Sequence, residues 1–315
     1  MLVETIVIAL GGNALTIGGK LADAETQLSI IDNTSLQIAD IISQGYRVVM
    51  THGNGPQVGG IVLQNEASAE ATPCMPFDVC GAMSQGMLGY HMTQGLQRAM
   101  RLRGRRCSPV AVVTQVVVDP ADPGFQNPAK PIGAFCTEAE AQRLTRERGY
   151  VMKEDAGRGW RRVVASPKPR EIVELDAIRD LIAGGHTVIA VGGGGIPVYR
   201  DADGDLNGIA AVIDKDLASE RLAQDLDADL FLMLTAVEQC CLNFGKPEQQ
   251  GLPRMTAAQA REYIAQKQFA PGSMLPKVEA AVRFVEARPG RRCIITTPDR
   301  AVDALAGKAG TVITA

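Results

Sequence analysis

The chain has 315 residues, 46% of them apolar and 21% charged, with a formal net charge of -3. That apolar fraction excludes a disordered chain, and the acidic balance disfavours nucleic-acid binding driven by net charge. No apolar run approaches the roughly 18 residues of a membrane span, and a length of this order allows two domains or one large α/β unit with a buried core.

Short β-rich apolar runs alternate with longer helical patterns, which marks βα units around a largely parallel sheet. The N-terminal MLVETIVIALGG carries Glu4 and no cationic start, so Thr5–Leu10 reads as a first strand rather than a signal peptide, and a cytoplasmic protein is expected. Leu28, Ile31, Ile38, Ile41 and Ile42 then follow at near-helical spacing, with Gly45 as a C-terminal stop. The second strand is Tyr46–Thr51, and a second helix carries the stripe Met83, Met87, Leu88 and Met92, which reads as core or subunit contact. Further strands are expected at Val110–Val118, Thr187–Val191, Leu230–Thr235, Cys293–Thr296 and Thr311–Thr314, and further helices at Leu217–Leu226 and Lys277–Val285. Residues 119–169 differ from the rest, being rich in Pro, Gly and charge, with a basic hairpin at Arg158–Val164; they read as an insertion or lid standing off the main sheet.

Seven cysteines without a C-x-x-C pair argue against a disulfide framework or structural zinc site, and three histidines without H-E-x-x-H argue against a transition-metal enzyme. What stands out instead is glycine. Three predicted strands end in glycine-rich turns, ALGGNA (9–14), THGNGPQVGG (51–60) and VGGGGIP (191–197). Glycine lets a ligand approach peptide N–H groups closely, and a helix starting just after such a turn offers unpaired N–H groups to phosphate. In an open α/β sheet these turns share the carboxyl edge, where ligands bind. No G-x-x-x-x-G-K-S/T occurs, so the chain is not a P-loop enzyme. Gly53, Gly55 and Gly59 only loosely match a dinucleotide fingerprint, which leaves a nicotinamide dehydrogenase as a distant runner-up.

The basic residues divide into 23 arginines and nine lysines. Two of those lysines open helices, Lys215 in VIDKD and Lys277 in PGSMLPK, where a cation opposes the helix dipole by about 0.3–1 kcal/mol. Asp214 is a plausible N-cap beside the first of them. Two lysines so placed suggest a bound anion, and phosphoryl transfer needs little beyond positioning and positive charge on the migrating group's oxygens.

The segments ALGGNA, HGNGPQVG, TQVVVDPADPGFQNPAKPIG, KEDAGRGWRRVVASPKP, GGGGIPV, AVIDKDLASE and FAPGSMLPK closely resemble those of the carbamate kinases, within the amino-acid kinase superfamily, over essentially the whole chain. The resemblance implies a three-layer αβα sandwich around a mainly parallel open sheet with a small protruding lid, typically as a homodimer. It implies reversible transfer of a phosphoryl group between ATP and carbamate, with Mg²⁺ bridging nucleotide phosphates and few protein ligands. Carried over residue by residue, Gly11, Gly12 and Asn13 would line the phosphoryl group, and Gly53, Asn54 and Gly55 would hold carbamate. Lys130, Lys215 and Lys277 would stabilise the pentavalent phosphorus, with Asp214 orienting the lysines. Gly193, Gly194, Asp216, Thr235, Gly272, Ser273 and Met274 would lie on the nucleotide side, and no residue is expected to be a dedicated metal ligand. Residues 1–205 would form the acceptor lobe, 206–315 the nucleotide lobe and 119–169 the lid. Many amino-acid kinases carry a lysine just before the first glycine pair. This chain has Ala9-Leu10 there, as carbamate kinases do, and Lys130 is the natural substitute. Thr235 is followed by Ala236-Val237-Glu238, where family members often place Gly or Asp and then an acidic residue. Carbamate is already an oxygen anion, so no general base is required, and His52 reads as a packing or hydrogen-bonding residue. The alternatives are another amino-acid kinase, acting on a carboxylate or nucleoside monophosphate, and an idle nucleotide-binding paralogue.

Overall fold

The computed structural model describes residues 3–11, 23–155, 157 and 159–315. Along the chain, β1 (Thr5–Leu10) leads through α1 (Ala24–Ser43) to β2 (Arg47–His52), then α2 (Gly55–Ala67), α3 (Phe77–Leu102), β3 (Pro109–Ala111) and β4 (Gln115–Val117). The inserted segment holds β5 (Lys130–Cys136), α4 (Glu138–Arg148), β6 (Met152–Glu154) and β7 (Trp160–Val164). There follow β8 (Glu171–Ile172), α5 (Leu175–Ala183), β9 (Thr187–Ile189), β10 (Ile196–Arg200), β11 (Leu206–Gly208), α6 (Lys215–Asp225) and β12 (Leu230–Leu234). The chain closes with β13 (Cys240–Leu242), β14 (Gln250–Leu252), β15 (Arg254–Thr256), α7 (Ala257–Ala265), α8 (Met274–Ala287), β16 (Arg292–Thr296), α9 (Ala301–Leu305) and β17 (Thr311–Thr314).

The main sheet has eight strands in the order β15-β17-β16-β12-β1-β2-β9-β3. All its pairings are parallel except β16 with β17. Its central strand β1 reads TIVIAL and is buried at every position, as expected of a parallel strand covered on both faces. Side chains alternate along it. Val7 and Ala9 enter one core, with Leu222 of α6 and Phe284 of α8; Ile6, Ile8 and Leu10 enter the other, with Ile38 of α1 and Leu88 and Met92 of α3. The expected αβα sandwich is therefore present, with smaller sheets beside it: β11-β10-β4-β8, β13-β14 and β5-β7-β6.

Two expected elements differ. Val110–Val118 is two strands, because the chain leaves the main sheet after Ala111 and enters the four-stranded sheet at Gln115. Thr114, between them, is tied down by Gln85, which donates to its carbonyl and accepts from its N–H. The strand expected at 187–191 stops at Ile189, since Val191 has a left-handed φ of 52° and begins the glycine turn. Of the methionine stripe, Leu88 and Met92 are core, whereas Met83 is 46% exposed.

The three-stranded sheet within the inserted segment rests on α2. Gly59 faces Gly133, and a Cβ built on Gly59 would lie 2.2 Å from the Gly133 Cα, so backbone meets backbone there. The far end is clasped by Glu66 of α2, which accepts hydrogen bonds from Arg148 (2.8 Å) and the Tyr150 hydroxyl. Arg162 lies over the Tyr150 ring at 3.7 Å, and Arg161 donates to the Gly133 carbonyl at 2.9 Å. Both arginines are thus packed within the insertion; Arg158 lies outside the described residues. Gly59→Ala should separate α2 from β5 and cost about 1–3 kcal/mol, the usual range for overpacking, read as a lowered denaturation midpoint.

Candidate active site

Gly11 after β1 and the turns after β2, β9 and β12 lie at the carboxyl edge of the main sheet. Backbone bonds extend the pairing into them: Gly11 N–H donates to Leu234 and Gly53 N–H to Leu10. Helix α2 starts directly after Asn54, with no side-chain bond capping its first turn, and α8 starts after Ser273 in the same condition. Helix α2 thus keeps first-turn N–H groups at the positive end of its dipole, whereas in α8 the Leu275 N–H donates to the Ala270 carbonyl and Pro276 has none.

Helix α6 is capped differently. Asp214 Oδ1 accepts from the backbone N–H groups of Asp216 (2.9 Å) and Leu217 (3.4 Å). Its other oxygen, Oδ2, takes the Nζ of Lys130 at 2.6 Å, from β5 of the insertion. Asp216, only 3% exposed, bonds Lys215 through Oδ1 at 3.0 Å and Lys277 through Oδ2 at 2.7 Å. Three lysines from three distant segments thus gather on two carboxylates separated by a single residue. Asp214 takes Lys130, whereas Lys215 and Lys277 both take Asp216. One Asp214 oxygen is committed to the cap, and both Asp216 oxygens are committed to lysines.

Burial sets the electrostatics. It pushes the Asp216 carboxyl up, but the Lys215 and Lys277 ammonium groups outweigh it and hold that carboxyl well below the usual range. Burial drives the Lys215 ammonium down to about 8, because Asp216 offsets only part of the desolvation and Lys277 adds repulsion. Lys277 is desolvated too, but its shorter bond to Asp216 lifts it above the ordinary lysine value. His52 is held down to about 4 by burial, with Lys215 adding to the effect, so it is neutral at pH 7; its Nδ1 lies 3.1 Å from the Gly53 carbonyl. No basic imidazole is presented to a ligand here. Burial likewise raises the thiols of Cys240, to about 12, and Cys293, and all seven cysteines are free.

The other expected residues fall as follows. Gly53 and Asn54 are buried, and Gly55 lies against the Pro131 carbonyl of β5. Gly193, at φ 67°, abuts the turn at Asn54: a Cβ on it would lie 2.2 Å from Asn54 Nδ2. Gly194 packs on the Ile213 carbonyl beside Asp214, so the two glycines link the turn at Asn54 to the start of α6. Thr235 N–H donates to Thr296, holding the turn after β12. Gly272 is exposed at φ 69°, Ser273 precedes α8, and Met274 Sδ lies 3.5 Å from the Cys240 thiol. Gly12 and Asn13 lie outside the described residues.

The amino acid kinase family profile matches residues 4–297. A carbamate kinase of Clostridium perfringens is 50% identical over 311 residues, spanning 98% of this chain and 99% of that protein. A carbamate kinase-like protein of Escherichia coli is 50% identical over 313 residues, at 98% and 99% coverage. A solved carbamate kinase of Giardia lamblia bound to AMP-PNP superposes with a TM-score of 0.89 at 45% identity, over 99% of this chain and 98% of that one. The chain belongs to the carbamate kinases of the amino acid kinase family.

Against that family assignment, two sets of residues had escaped the sequence. Ser219 of α6 donates to the Lys215 carbonyl at 2.5 Å and pairs with the Thr51 hydroxyl at 2.6 Å, pinning the start of α6 to the end of β2. Ser84 and Gln85 of α3 hold the turns at Asn54 and Gly192. A signal existed: Ser84 interrupts the buried row Cys80, Leu88, Met92, Leu96 and Met100 at four-residue spacing, and a buried polar side chain needs a partner. Asp216→Asn should remove the charge between two buried ammonium groups and cost about 3 kcal/mol at pH 7, measurable by urea unfolding.

Proposed function

We propose that this chain catalyses reversible phosphoryl transfer between carbamate and ATP, run from ADP and carbamoyl phosphate as ATP formation. One observation carries the reading: Lys130, Lys215 and Lys277 gather beside the acceptor turn and an uncapped helix N-terminus, in a chain about half identical to carbamate kinases. An ADP β-phosphate oxygen attacks phosphorus as the bond from phosphorus to the carbamate oxygen breaks. Carbamate departs as an anion and decomposes in water, taking up a proton, to ammonia and CO₂. No proton moves in the transfer itself, which agrees with a neutral His52 turned toward backbone.

In this reading Lys215 and Lys277 neutralise charge on the migrating group, and Lys130 adds a third contact from the lid formed by residues 119–169. Asp216 and Asp214 keep the ammonium groups aimed. Gly11, Gly12 and Asn13 line the phosphoryl group, and Gly53 to Gly55 hold carbamate in the lobe of residues 1–205. Thr235 and the 271–274 turn face the nucleotide in the lobe of residues 206–315. Mg²⁺ enters with the nucleotide as part of the substrate. Among the described residues no three His, Cys, Asp or Glu side chains gather as a metal site, and Mg²⁺ readily stays on phosphates with much of its own water. The protein acts in the cytoplasm as a homodimer; exposed Tyr90 and Met83 on α3, near edge strand β3, support a subunit contact there.

Coupled assay of ATP formation from Mg-ADP and carbamoyl phosphate tests the reaction, with acetylglutamate, glutamate, aspartate and UMP as competing acceptors in the reverse direction. Failure to make ATP above the spontaneous background would overturn it. In that assay Lys215→Ala and Lys277→Ala should each lower kcat by about 10²-fold or more, and Lys130→Ala further still. The pH profile follows from Lys215. Its charged form is needed and the free enzyme loses it above about pH 8, so kcat/KM should fall above about pH 8. Bound phosphates favour the ammonium form, so the matching limb in kcat should lie at higher pH.

A further inference from the structure

We infer that Ser84 is a positioning residue that makes Asn54 read the amino group of carbamate, and so sets selectivity for carbamoyl phosphate over acyl phosphates of the same shape. The inference rests on the proposed carbamate kinase reaction. Asn54 stands at the N-cap of α2, where an asparagine side chain ordinarily accepts from an N–H of the first turn. Here it makes no such bond. Its Nδ2 instead donates to Ser84 Oγ at 2.7 Å, and both residues are buried.

The direction of that bond is settled by Ser84. The hydroxyl has one proton, and it goes to the Gly81 carbonyl at 2.6 Å. What remains toward Asn54 is a lone pair, which only the NH₂ end of the amide can use. The amide is held from its other side as well, since Gly193 leaves it just the space that a Cβ would fill. Oδ1 is therefore the end left over, with no hydrogen-bond partner among the described residues. It is an acceptor beside the N–H groups of the α2 start. Carbamoyl phosphate presents a matching pair, a carbonyl and phosphate that accept and an NH₂ that donates. Acetyl phosphate has the same outline with a methyl group in place of the NH₂, and would leave Oδ1 unpaired.

Without the Ser84 hydroxyl, Nδ2 would face a methyl group in a buried setting, which favours rotating the amide so that NH₂ points at the substrate NH₂. The competent orientation then becomes the minor one, and apparent affinity falls with its population. Ser84→Ala should therefore lower the ratio of kcat/KM for carbamoyl phosphate to that for acetyl phosphate by about tenfold, with KM for ADP little changed. In an Asn54→Ala background the same substitution should leave the ratio where it is, because Ser84 acts only through that amide. Should Ser84→Ala fail to fold, Ser84→Cys keeps the volume with a much weaker acceptor and gives the same reading. A ratio unchanged while both rates fall together would show that Ser84 merely packs, and would overturn the inference while leaving the reaction intact. Equal use of the two acyl phosphates by the unsubstituted chain would overturn it too. Absence of ATP from carbamoyl phosphate in the unsubstituted chain would remove the reaction itself.

Discussion

Two ammonium groups share one buried carboxylate at the carboxyl edge of the sheet, and much of the molecule is arranged around that fact. Removing charges from water costs several kcal/mol each even after relaxation, so Lys215 and Lys277 stay charged only because Asp216 lies between them. The arrangement is short of negative charge. Two cations meet one anion, and the Lys130–Asp214 pair alongside is neutral, so the cluster keeps a net positive charge in a place water hardly reaches. Burial depresses the Lys215 ammonium, the neighbouring Lys277 charge adds to the effect, and Asp216 offsets only part of it. A phosphoryl group would supply the missing charge, which is why a lysine at the start of a helix, unfavourable to the helix itself, makes sense here.

Holding such a cluster requires a frame that does not give. The start of α6 is tied to β2 through the Thr51–Ser219 hydroxyl pair, and Lys277 arrives on α8, packed in the same core as Phe231 and Leu222. Lys130 comes from outside the main sheet. Its approach to Asp214 depends on the insertion lying close against α2, which the Gly59–Gly133 backbone contact allows and the Glu66 clasp secures. At the turns following β2 and β9, α3 does the corresponding work. Gln85 bonds the Thr114 and Gly192 carbonyls, and Ser84, one residue before it, holds Asn54. A single helix thereby fixes two glycine turns that are far apart in the chain.

Much of this was legible in the amino-acid sequence. Strand β1 and strand β17 begin and end where their apolar runs do, and among the described residues the glycine turns at 53–55 and 192–195 follow β2 and β9. Lys215 and Lys277 were visible as cations at helix starts, although α8 begins at Met274, a little before the expected Lys277. These features depend on neighbours a few residues away: side-chain periodicity, a capping aspartate, a glycine where the backbone must turn. Sequence by itself therefore determined the alternation of strands and helices, the family, and which residue types carry charge or bare peptide N–H. Only the tertiary structure decided which carboxylate each lysine takes, where the chain crosses between sheets at 112–114, and why Gly59 and Ser84 are what they are. Apart from Lys215, which takes its chain neighbour Asp216, those outcomes turn on groups 30 to 84 residues apart being brought within bonding distance, and no local spacing encodes which distant partner a buried donor will meet.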